Sequence, residues 1–196
     1  MTQDTSLSLL QRLKGDRESP DWNRFVNLYD PLLRAWLRRH SLLVDDSDDL
    51  VQNIMAVVVR KVAEFEHNGR TGAFRTWLKE ITARCLQSHW RSRKSQPTGA
   101  GGSDVQALIA DLQDPQSELS QQWDREHDRF VMRKLLDDLK DEFEPKTWLA
   151  FQRFALEQVP AAKVAAELEM SANAVFIAKS RVLARLRQES EGILDE

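Results

Sequence analysis

A single cysteine, Cys85, stands alone in 196 residues, so no internal disulfide can form, and four histidines without ligand spacing leave no Cys/His cage for zinc. Zinc fingers and disulfide scaffolds are thereby excluded. Seven glycines and six prolines are too few for a turn-dense all-β chain, whereas Leu, Ala, Arg, Glu, Gln and Lys recur throughout; the expected fold class is all-α. Apolar runs such as Met55 to Val59 fall far short of the roughly 20 residues that cross a bilayer. The opening Met1-Thr-Gln-Asp-Thr lacks a basic stretch leading into an apolar core, so a cytoplasmic chain without membrane insertion is expected. No Ser-His-Asp set, phosphate loop or paired-carboxylate pattern stands out, and Asp45 to Asp49 lacks the Gly and Glu arrangement of a calcium loop. Neither catalysis nor a cofactor or metal is expected.

What is present is charge, in segregated blocks. The net charge of −3 conceals two basic islands. From Arg70 to Lys94 the cations Arg70, Arg75, Lys79, Arg84, Arg91, Arg93 and Lys94 face one acid, Glu80, giving 7 − 1 = +6. From Ser171 to Gln188, Lys179, Arg181, Arg185 and Arg187 stand without an acid, giving +4. The acids gather in Asp45-Asp46-Ser47-Asp48-Asp49 and between Asp104 and Glu142. Two basic islands in an acidic chain suit a protein that meets phosphate at two places and a protein partner elsewhere.

Apolar spacing orders these islands along helices. Leu7, Leu10 and Leu13 open a short helix ending near Gly15, and Trp22, Phe25, Val26, Tyr29, Leu32, Leu33, Trp36 and Leu37 carry a longer one. Asp45 to Asp49 predict a capped, acidic start to a third helix, with Leu50, Val51, Ile54, Met55, Val58 and Val62 as its stripe to about Phe65. His67-Asn68-Gly69-Arg70-Thr71-Gly72 reads as a loop. Phe74, Trp77, Leu78, Ile81 and Cys85 then line one side of a fourth helix whose other side carries Arg75, Lys79, Gln87, Arg91 and Lys94. Trp22, Trp36, Trp77, Trp123 and Trp148 lie on apolar stripes and are expected in cores; Trp90, beside Arg91 and Arg93, is the exception, with helix-end packing and base stacking both open.

The run Ser95 to Ser103 has little to bury, which predicts a flexible linker over 95–118 between a first domain, 1–94, and a second, 119–196. In the second, Phe130, Val131, Leu135, Leu136 and Leu139 form a strong stripe before a break at Glu144-Pro145, and Trp148 to Phe154 form a further helix. Pro160 starts a short helix bearing Val164, Ala165 and Leu168, and Ser171 caps a last, basic helix to about Arg187. Short helix, three-residue break, Ser cap and longer basic helix make the pattern of a helix-turn-helix. Val175 points inward in that reading, while Asn173, Phe176, Ile177, Lys179 and Ser180 point outward.

Asp46-Ser-Asp-Asp-Leu-Val-Gln52 ahead of an apolar helix, then Phe74-Arg-Thr-Trp-Leu78, a basic stretch, a linker and a helix-turn-helix resemble the extracytoplasmic-function group of sigma-70 family RNA polymerase sigma factors over nearly the whole chain. The resemblance implies a specificity subunit, not an enzyme, made of sigma region 2 and region 4 bundles. It assigns Asp46, Asp49, Leu50 and Gln52 to the β′ coiled coil of core polymerase. It assigns the −10 element to His67, Asn68, Arg70 and Thr71 as a base-capture loop, with Arg75, Lys79, Arg84, Gln87 and Arg91 as backbone or base contacts. Region 4 in such proteins reads the −35 element and meets the β flap, which selects Ser171, Asn173, Phe176, Lys179, Ser180 and Arg181. Implied partners are core polymerase, promoter DNA and an anti-sigma factor. Glu169 stands where the family often has Gly, Ala178 where Arg is frequent, and Glu80 and Cys85 also depart from the common pattern. Two rival readings are an autonomous helix-turn-helix regulator and a protein-only adaptor of transcription; neither needs an acidic helix ahead of a basic aromatic one.

Overall fold

The computed structural model describes residues 8–15, 20–40, 46–94 and 102–194, and among them the secondary structure is entirely helical. The chain divides into two compact units, one built on Leu9–Val131 and the other on Met132–Glu191. No described helix is long and apolar enough to cross a membrane.

The first unit opens with α1 (Leu9–Gly15), which buries Leu9, Leu10 and Leu13. In α2 (Asp21–Arg39) the buried side chains Phe25, Leu28, Tyr29, Leu32, Leu33, Trp36 and Leu37 recur at three- and four-residue steps, the signature of one face turned to a core. Arg12 Nε donates to Asp21 Oδ2 at 2.7 Å and ties the end of α1 to the start of α2. Leu50, Val51, Ile54, Met55 and Val58 supply the matching stripe of α3 (Ser47–Lys61). The next helix, α4 (Ala73–Lys94), contributes buried Phe74, Leu78, Ile81, Ala83 and Leu86. An aromatic cluster fastens these helices: ring centroids lie 5.6 Å apart for Tyr29 and Phe74, 5.4 Å for Phe65 and Phe74, and 5.3 Å for Phe74 and Trp77. Trp36 and Trp123 meet edge to face at 4.9 Å, and both are buried. Trp22 and Trp77 are only half-buried.

One segment differs from the sequence expectation. Residues 95–101 lie outside the described residues, as do Leu7 and Asp45. Gly102–Gln113, however, forms a helix, α5, packed along α4. Val105, Ile109 and Leu112, spaced i, i+4, i+7, are buried, so half of the expected linker has an apolar stripe of its own. Ser117 Oγ then accepts from the Ser120 amide at 3.0 Å and caps α6 (Glu118–Leu139). The first half of α6 belongs to the first unit.

The second unit is built on small residues. Pro145 starts α7 (Pro145–Phe151), which widens into a π-helical turn over Gln152–Leu156. It is followed by α8 (Ala161–Glu167) and α9 (Ala172–Ser190). Ala150, Val164, Ala165, Val175 and Ala178 form the core, with Phe154, Leu168 and Met170 packed on it. The turn between α8 and α9 places Glu169 at φ 49°, a left-handed conformation that favours glycine. Met170 N closes the turn on Ala165 O at 3.0 Å.

Candidate nucleic-acid interface

At the start of α3 the acids divide among different tasks. Asp46 occupies the N-cap position, but its carboxylate makes no capping bond; Oδ2 lies 3.4 Å from His89 Nε2 on α4. Asp48 pairs with Arg34 and, at 3.3 Å, with Arg38, both on α2. Asp49 and Gln52 are exposed. Leu50 is fully buried, which corrects its assignment as a polymerase contact: its side chain holds α3 in the core and offers nothing to a partner.

His67, Asn68, Arg70 and Thr71 lie together in the exposed loop between α3 and α4. The loop braces itself. His67 Nδ1 accepts from the Gly69 amide at 3.1 Å, and Asn68 Oδ1 accepts from the Arg70 amide at 3.0 Å. Both bonds satisfy backbone donors locally, as Asx-type turns do. Gly72, at φ 75°, turns the chain into α4, where Thr76 N reaches Gly72 O at 2.9 Å.

The cations of α4 separate into two faces. Arg84, Gln87 and Arg91 are exposed; among the described residues Arg84 pairs only with Glu80, one turn away, at 3.2 Å. Arg75 and Lys79 turn instead toward an acidic row on α6. Lys79, 7% exposed, donates to Ser120 Oγ at 2.6 Å and to Asp124 Oδ1 at 3.0 Å. Arg75 binds Asp128 and lies 3.5 Å from Asp124. Ser120, Asp124 and Asp128 fall at i, i+4 and i+8, one face of α6. This corrects the expectation for both cations: their heads are committed within the fold and are not presented to DNA. His127, on the same helix, is buried, with its Nε2 3.4 Å from the Tyr29 hydroxyl and its Nδ1 2.9 Å from Asp128. Burial holds the imidazole pKa below its ordinary value against the pull of Asp128.

A groove of about 800 Å³ runs between α3 and α4, lined by Asn53, Arg60 and Lys61 on one side and Trp77, Arg84 and Cys85 on the other. Arg60 and Lys61 do not stand out in the sequence; their position, as adjacent cations closing α3 just before the loop, is the signal that could have found them. Cys85 is half-buried in this groove, and burial raises its thiol pKa, which disfavours the reactive thiolate. Trp90 is half-buried and borders a smaller cavity between α4 and α5 with Ile109 and Ala110, in keeping with helix-end packing.

On α9, Ser171 Oγ accepts from the Ala174 amide at 3.1 Å, so its hydroxyl serves as the cap. Asn173, Phe176, Ile177, Ser180 and Arg181 are exposed, and Val175 is buried. Lys179 folds back, with Nζ 5.3 Å from the Phe154 ring centroid, a cation–π contact that occupies its head.

No curated protein matches the chain. Residues 25–96, which take in most of α2, the acidic start of α3, the braced loop and α4, match the family model of sigma-70 region 2.

Proposed function

We propose that this protein is a sigma factor of the extracytoplasmic-function group, which binds core RNA polymerase in the cytoplasm and directs it to promoters while the polymerase performs the catalysis. The observation that carries this reading is the placement of exposed Asp49 and Gln52 at one end of α3 and of the exposed loop His67–Thr71 at the other, inside the matched region. Carboxylates at the first end suit a cationic coiled coil, where they act on steering and register. At the other end, polar loop groups, Arg84, Gln87 and Arg91, and the neighbouring cations Arg60 and Lys61 suit a −10 strand whose bases have been unstacked.

The second unit reads the −35 element through a helix-turn-helix. Its recognition helix is α9, with Asn173, Phe176, Ile177, Ser180 and Arg181 turned outward. Phosphate contacts fix register and side chains facing base edges select sequence.

Core polymerase reconstituted with the full chain on genomic DNA tests the proposal. New RNA 5′ ends sharing two upstream sequence elements are expected. If polymerase neither retains the protein in a pull-down nor starts RNA at new positions, the reading fails. A palindrome bound without polymerase would favour the autonomous regulator.

A further inference from the structure

Phe176 and Ile177 are 52% and 50% exposed, side by side on a helix otherwise rich in cations. Single exposed apolar residues need no explanation, but this pair occupies the middle of an ordered stripe. Asn173, Phe176, Ile177 and Ser180 fall at i, i+3, i+4 and i+7, so one face of α9 presents polar, apolar, apolar, polar. The Phe176 ring is held in place: Phe154 meets it edge to face at 5.2 Å and 88°, and Phe154 packs on the small-residue core. A fixed ring loses little rotamer freedom when it is covered.

The charge around the pair identifies what covers it. From Ser171 to Gln188 there is no acid, and Arg181 is exposed beside the stripe, so the face suits a polyanion. In the major groove of duplex DNA, the apolar group on a base edge is the C5-methyl of thymine. We infer that Phe176 and Ile177 read thymine methyl groups on one or two adjacent base pairs, so that the DNA selected by α9 is thymine-bearing where this pair sits. The inference rests on the proposed assignment of α9 to the −35 element and adds the base chemistry that it recognises.

Replacing thymine by uracil removes the methyl group and leaves every hydrogen-bonding edge unchanged. The full chain, bound to core polymerase, would be used to select duplexes from a library randomised over the upstream block, and selected duplexes would be resynthesised with uracil at each thymine in turn. Uracil at the positions facing the pair is expected to lower retention about fourfold each, roughly what one CH₂ equivalent of buried apolar surface is worth. Uracil elsewhere in the block is expected to have no effect. In a Phe176→Ala, Ile177→Ala double variant, thymine and uracil should be retained equally, with polymerase binding and helical circular dichroism unchanged; Phe176→Leu should keep part of the discrimination. Sequence-selective retention that is indifferent to uracil at every position would overturn the inference and leave the −35 assignment standing. Absence of any selected sequence would remove both, and loss of polymerase binding in the double variant would reassign the pair to a protein contact.

Discussion

Lys79 and Arg84 lie little more than one turn apart on α4, and their environments are opposite. Lys79 is enclosed with Ser120 and Asp124, while Arg84 reaches into solvent beside a local partner, Glu80. Two cations of the same basic island therefore do different work: one fastens α4 to α6, the other remains available to a phosphate. A charge count over a window cannot separate the two roles. The separation depends on whether an acid from a distant part of the chain arrives opposite the cation.

The strongest way to break this contrast is to remove the acid. Asp124→Ala leaves Lys79 enclosed without its carboxylate and should destabilise the first unit by about 2–3 kcal/mol in urea unfolding; the loss is below the full range for a buried pair because Asp124 retains some solvent contact. Acidification comes next. Burial lowers the folded-state pKa of His127, which faces Tyr29 and Asp128 with Arg75 and Asp124 nearby, and also that of His40, below the ordinary histidine value of 6.5. The unfolded chain then binds more protons below about pH 6.5, so stability contributed by the neutral rings is complete above that value and declines as pH falls toward the folded pKa values. Unfolding midpoints should drop between about pH 7 and 5.5, with a smaller drop in His127→Gln, where His40 still contributes; an unchanged slope would exclude His127 as a source. Lys79→Met, which keeps the stem and removes the charge, should cost under about 1 kcal/mol and leave start-site selection unchanged if the residue is structural. Least affected in stability should be the double variant Arg84→Ala, Arg91→Ala, which should stay within about 0.5 kcal/mol of wild type. Its effect should surface in DNA binding by the polymerase complex, where the slope of log affinity against log salt falls by roughly one unit for each phosphate left without its cation.

The helices were legible where an apolar stripe was long and regular. The stripe from Phe25 to Leu37 predicted α2, and the glycines and Asn68 marked the loop before α4. Helix α5 was missed because its stripe consists of only Val105, Ile109 and Leu112 and follows a glycine-rich run that argues for disorder. In the candidate site, the exposed loop and the cap at Ser171 followed from local chemistry, since Asn and Ser bond backbone groups two or three residues away. The commitment of Arg75 and Lys79 was not legible, because their partners lie 41 to 53 residues away and no periodicity within α4 encodes them. Leu50 was legible in one respect only: its place in the apolar stripe predicted burial, and the motif resemblance drew it to the surface.

The turn that joins α8 to α9 holds a residue that works against its stability. At φ 49°, Glu169 bears a steric penalty of about 1 kcal/mol that glycine would escape, while its carbonyl, which accepts from Lys146 Nζ at 3.2 Å, would survive the exchange. Glutamate and glycine codons differ by one base, so a hardened version of this unit is a single nucleotide away, and the substitution would remove a negative charge near the helix proposed to read DNA. Under that proposal, greater heat tolerance and a firmer grip on DNA would arrive together, by one step, without altering any side chain assigned to a base.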